Sequence, residues 1–121
     1  MRAPETIRQR RDFLAANQGR RVPSAGFVLL VRQRDDGNPV MRAGYTVTKK
    51  IGNSVTRNRL KRRLREIVAL TLPAHGHAGA DHVLIGRDAG LTRDFALLRA
   101  DLEKSLAKAH LPPKPKETER R

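Results

Sequence analysis

Residues 49–72 read KKIGNSVTRNRLKRRLREIVALTL, and the rest of the chain is organised around this stretch. Leu60, Leu64, Ile67 and Val68 recur at helical spacing and form one apolar stripe. The spacing predicts a helix over residues 54–72, ended by Pro73, whose ring and missing N–H oppose helix continuation. Asn58, Lys61, Arg62 and Arg65 fall opposite the stripe, and Arg57 and Arg59 flank that face in the first turn. Residues 49–65 hold eight basic side chains and no acidic one. One face of the helix is therefore built to pack and the other to present cations.

A merely solvated face usually mixes signs, because opposite charges at i and i+4 support a helix. Here like charges crowd one another. Cations in the first turn also oppose the helix macrodipole, at a cost of ~0.3–1 kcal/mol each. Arginine outnumbers lysine between Arg57 and Arg65, and arginine grips phosphate oxygens in a bidentate fork. Stability alone would not select this pattern; a polyanionic partner would.

Working outward, residues 7–17 read as a short helix with Phe13 and Leu14 inward, stopped by Gly19. The apolar run 27–31 reads as a buried strand. Asp35 to Pro39 is a cluster of turn formers. A second strand, residues 40–48, alternates Met41, Ala43, Tyr45 and Val47 against Arg42, Gly44, Thr46 and Thr48. These two strands are expected to pair as an antiparallel hairpin. A third strand starts at His82 and runs to Gly86. Thr92 is the expected N-cap of a last helix with the stripe Phe95, Leu98, Leu102 and Leu106. The element order predicts an α+β two-layer sandwich, a mostly antiparallel sheet packed by helices.

The whole chain supports the same partner. Its 121 residues carry 26 Lys and Arg against 12 Asp and Glu, a net charge of +14. Such an excess calls for an anionic partner. No apolar run reaches membrane-spanning length, and residues 1–11 lack the apolar segment of a signal peptide. The absence of cysteine removes disulfides and thiolate chemistry and fits a cytoplasmic setting. Residues 1–111 are expected to form one RNA-binding domain, followed by a disordered basic tail, residues 112–121.

Catalytic constellations are weak. His75, His77 and His82 sit in and after a glycine-containing loop with Asp81 as the nearest carboxylate, too few ligands for a structural zinc site. No paired carboxylates suited to two metals and no phosphate loop with its lysine are evident. No catalytic residue and no metal site is assigned.

Lys49-Lys50-Ile51-Gly52-Asn53-Ser54-Val55, followed by Arg57-Asn58-Arg59, Lys61-Arg62 and Arg65-Glu66, resembles the signature of the bacterial ribonuclease P protein family. Asp12-Phe13, Phe27-Val28-Leu29, Arg42 with Gly44, and Leu84-Ile85-Gly86-Arg87 extend the resemblance over residues 7–109. It implies a ribosomal-protein-like fold with a left-handed βαβ crossover through the basic helix, with Gly52 supplying a positive φ in the connection. It also implies an enzyme subunit in which a catalytic RNA hydrolyses the phosphodiester bond with Mg²⁺ held mainly by RNA. The expected partners are that RNA and precursor tRNA, with one copy of the protein per holoenzyme and no membrane.

By this resemblance Arg57, Asn58, Arg59, Lys61, Arg62 and Arg65 contact the catalytic RNA. The 5′ leader of precursor tRNA runs between the first helix and the open sheet face, past Phe13, Phe27, Arg42, Thr46, Lys49 and Lys50. Phe13 suits either base stacking or the core. The chain departs from the family where a second aromatic often follows Phe13; Ala16 and Asn17 stand there. It departs again near Leu30, where a strand aromatic is common, which leaves Phe27 as a substitute. A ribosomal or other structural RNA-binding protein is the alternative reading, ahead of an RNA-independent nuclease or a DNA-binding protein.

Overall fold

In the computed structural model, residues 4–110 are described, and the expected tail, residues 112–121, lies outside them. The elements run β1 (Glu5–Thr6), α1 (Arg10–Ala16), β2 (Arg20–Pro23), β3 (Phe27–Gln33) and β4 (Arg42–Thr46). A 3₁₀ turn (Lys49–Ile51), α2 (Ser54–His75), β5 (Ala80–Gly86), a 3₁₀ turn (Asp88–Leu91) and α3 (Phe95–His110) follow. One five-stranded sheet has the order β1-β4-β5-β3-β2. Helices α2 and α3 cover one face and the short α1 crosses the other.

The α+β sandwich is as expected, but the hairpin is not. Strand β5 lies between β3 and β4, antiparallel to the first over seven residues and parallel to the second over five. The two remaining pairings join β2 to β3, antiparallel, and β1 to β4, parallel. Antiparallel register thus predominates. The physical reason is burial: Ala80 to Leu84 is buried on both faces, and such a strand belongs in the middle of a sheet. Two short strands, β1 and β2, complete the edges without any strong alternation to announce them.

The α2 stripe is as read from the sequence. Leu60, Leu64 and Ile67 are fully buried with Leu98, Leu102 and Leu106 of α3, against Phe27, Leu29 and Leu84 of the sheet. Asn53 caps α2 by accepting a hydrogen bond from the Thr56 N–H at 2.9 Å. Pro73 does not end the helix, which runs on to His75. Only the last turn follows it; Thr71 and Leu72 are fully buried, and the Gly76 N–H donates to the Leu72 carbonyl at 2.7 Å. Thr92 is not the cap of α3. The Asp94 carboxylate takes that place and accepts from the Leu97 N–H at 3.2 Å.

Two glycines are required by geometry. Gly52 has φ +152°, as expected for the connection into α2. At Gly19 a Cβ would lie 2.1 Å from the Val31 carbonyl oxygen, so only glycine lets the chain leave α1 so close to β3. No helix among the described residues is long and apolar enough to cross a membrane.

Candidate nucleic-acid interface

Strand β4 and helix α2 place the candidate residues. Past Ala43, β4 has no strand partner on its outer side, because β1 pairs only with Arg42 and Ala43. Along this edge, between α1 and α2, run two adjoining grooves of about 440 and 410 Å³. Phe13, Tyr45 and Lys61 line both; Arg65 lines the first, and Arg8, Arg10 and Thr46 line the second. Two aromatic rings and four cations therefore surround an open strand edge, the combination that single-stranded nucleic acid favours.

Phe13 packs at the rim of the core, on the small apolar cluster of Ile7, Ala16, Val28, Leu30 and Val83, and also lines both grooves. A Cβ at Gly44 would lie 2.6 Å from the Phe13 Cζ, so the ring rests directly on the glycine backbone. Leu14, expected inward, is 53% exposed; Ala16 takes the inner position one turn after Phe13. Asn17 is exposed and contributes no ring.

Phe27 is a correction. Its side chain is fully buried in the cluster under α2 and α3, so no base reaches it. The strand pleat puts residues 27, 29 and 31 on that face, opposite α1.

Arg42 is held in an ion-pair cluster. Its Nε and Nη2 donate to the Asp81 carboxylate at 2.6 and 2.7 Å, and Nη2 lies 3.5 Å from Asp12 of α1. Asp81 is fully buried and register-paired with Arg42 on one side and Arg32 on the other. Arg34 Nη1 donates to the same carboxylate at 3.0 Å, and Arg32 lies 3.9 Å away. Burial alone would push the Asp81 carboxyl up; the hydrogen bonds and charges of Arg42 and Arg34 outweigh it and hold the group below the usual carboxylate range. Arg42 is committed to this cluster and lines neither groove. The sequence signal was available only in part: nothing local says that residues 39 positions apart face each other.

The cations of α2 behave differently. Asn58, Arg59, Arg62 and Arg65 are exposed, and Arg57 and Lys61 half-buried. Among the described residues none of these cations makes an ion pair. Lys61 and Arg65, one turn apart, turn toward the groove rather than out with Arg62. Lys49 and Lys50 are exposed on the 3₁₀ turn before α2 and line neither groove. Arg63, at the centre of the same run, faces inward. Its guanidinium donates to the carbonyls of Gly90 and Arg93 and ties α2 to the start of α3.

The histidines are part of the packing. His82 is fully buried; its Nδ1 lies 3.1 Å from the Arg42 carbonyl, and its Nε2 accepts from the His77 N–H at 3.1 Å. His77 Nε2 lies 3.0 Å from the Leu106 carbonyl. Burial pushes His82 down to about 4. Among the described residues no group of three or more histidines and carboxylates could hold a metal.

Comparisons with known proteins place the sequence and the fold in a family. The family model for ribonuclease P matches residues 1–110. The ribonuclease P protein component of Erythrobacter litoralis is 53% identical over 106 residues, covering 88% of this chain and 86% of that protein. That of Gluconacetobacter diazotrophicus is 50% identical over 104 residues, covering 85% and 89%. The solved ribonuclease P protein of Thermotoga maritima superposes with a TM-score of 0.73 at 33% identity, covering 86% of this chain and 96% of that one. The Staphylococcus aureus protein gives 0.72 at 27% identity over 87% and 94%. From the basic helix outward, the chain belongs to the ribonuclease P protein family, whose members are the protein component of that enzyme.

Proposed function

We propose that this chain binds the catalytic RNA of ribonuclease P and the 5′ leader of precursor tRNA, and so promotes endonucleolytic removal of the leader. The observation that carries the reading is the pairing of an unneutralised cationic face on α2 with an aromatic groove at the β4 edge. Arg57, Asn58, Arg59 and Arg62 present fork-shaped and amide donors to the folded RNA. Lys61 and Arg65, with Phe13 and Thr46, face the groove where the single-stranded leader lies; Lys49 and Lys50 extend the positive surface toward it. One copy of the protein serves one RNA.

The chemistry belongs to the RNA in this reading. Mg²⁺ held there supplies charge stabilisation for phosphodiester hydrolysis. The described residues offer it no cage, and the one buried carboxylate they contain, Asp81, is enclosed by guanidinium groups. The protein contributes binding: it holds the leader beside the RNA and offsets phosphate repulsion between them.

The test is a cleavage assay of precursor tRNA at near-physiological Mg²⁺ with the cognate catalytic RNA. The expected result is stimulation when the protein is added and no cleavage by protein alone. Lack of stimulation by folded protein that still binds RNA would replace this reading with that of a structural RNA-binding protein. Cleavage by protein alone would point to an active site in the chain itself.

A further inference from the structure

The groove contains a second aromatic ring whose position is peculiar to this site. Tyr45 is the single tyrosine of the chain, which has no tryptophan. It sits on β4 just beyond the last residue paired to β1, so its ring stands at an open strand edge. Below, the ring packs against the apolar cluster under α2. Above, the Arg65 guanidinium lies over it, with Cζ 5.9 Å from the ring centroid. Both side chains line the same groove as Phe13.

This arrangement does more than fill space. A leucine would fill the rim of the core equally well. An aromatic ring under a guanidinium attracts that cation through cation–π interaction and restricts its rotamers. Arg65 is itself exposed, so its planar guanidinium can still stack on a base while its edge offers N–H donors. Lysine could supply the charge but not the plane. Burial pushes the Tyr45 hydroxyl up to about 12.

We infer that Arg65, held over Tyr45, is a nucleobase-stacking element of the groove. Arg65 makes the contact, and Tyr45 is its positioning residue. The inference rests on the reading of the groove as the path of the single-stranded leader. It supplies a second stacking position in a chain where Asn17, one turn beyond Phe13, offers none.

Two measurements test it. With 3-fluorotyrosine incorporated, the full-length protein gives one ¹⁹F resonance, from Tyr45. Titration with a single-stranded RNA oligonucleotide should shift that resonance, and Arg65→Lys should abolish most of the shift. In the reconstituted holoenzyme, the preference for precursor tRNA over tRNA lacking a leader should fall about tenfold in Tyr45→Leu and in Arg65→Lys, a typical loss for one stacked base. Tyr45→Phe should retain the preference. An unchanged preference in Tyr45→Leu, alongside a loss in Phe13→Ala, would overturn this inference while leaving the leader groove intact. An unchanged preference in all of these variants would overturn both. If Tyr45→Leu fails to fold, the wild-type ¹⁹F titration decides, and a stationary resonance overturns the inference.

Discussion

Arg32, Arg34 and Arg42 converge on one buried carboxylate, whereas Arg57, Arg59, Arg62 and Arg65 have no acidic partner among the described residues. Both groups consist of the same side chain and both contribute to the +14 net charge. The first group is a folding device. Asp81 could not be buried ionised without charge-assisted hydrogen bonds, and the arginines that supply them join β3, β4, β5 and, through Asp12, α1. The second group receives no counter-charge from the described fold and keeps its charge available to an arriving anion. Net charge therefore does not locate a binding face; what locates it is cation density that the fold leaves uncompensated. Arg63 makes the point within a single helix turn, since it lies in the basic run yet serves as a clamp on α3.

The comparison can be broken most directly at Asp81. Replacing it by Asn leaves several guanidinium groups facing a neutral amide, and urea unfolding should report a loss of about 3–5 kcal/mol. A loss below about 1 kcal/mol would mean that the cluster is solvated and that the two arginine groups are alike.

Acid titration sharpens the same contrast, because the neighbouring His82 adds its own dependence. Its pKa is lowered from 6.5 to about 4 in the folded state, so the unfolded chain binds the proton first as pH falls. Stability should therefore decline between pH 6.5 and 4, by about 3 kcal/mol in total. His82→Gln should flatten thermal stability over that window. Asp81, whose pKa is also lowered, acts in the same direction: its stabilisation is present above the unfolded carboxylate value and disappears at still lower pH.

Phe13→Ala should lower affinity for precursor tRNA relative to mature tRNA by about 1–3 kcal/mol, read from binding to the holoenzyme. Equal weakening of both ligands would return Phe13 wholly to the Ile7 cluster. The smallest stability effect is expected on α2. Arg59→Ala and Arg62→Ala should leave the unfolding free energy within about 0.5 kcal/mol of wild type. Each should nonetheless weaken RNA binding and reduce the slope of log K against log salt by about 0.7–0.9 per lost phosphate contact. An unfolding defect in either variant would place these arginines with the Asp81 group.

Much of this was legible in the residues. The stripes of α2 and α3, the strands β3 and β5, the positive φ at Gly52 and the exposed cations of α2 all follow from local pattern. The hairpin expectation failed because adjacency in sequence was taken as adjacency in the sheet, and β5 intervenes. Pro73 misled because a proline in the last turn removes one hydrogen bond while buried Leu72 holds the helix in place. Phe27 misled because an apolar run buried on both faces carries no mark of which face meets α1.

What the sequence determined by itself was the set of elements, the basic face of α2 and the kind of partner that face requires. Periodicity, caps and like-charge crowding are properties of neighbours along the chain. Only the tertiary structure decided which arginines remain available, where the groove lies and which rings line it. Those answers depend on partners distant in sequence: Arg42 meets Asp81 across 39 positions and Arg34 meets it across 47. Counter-charge and burial are three-dimensional quantities, and a local pattern carries no record of either.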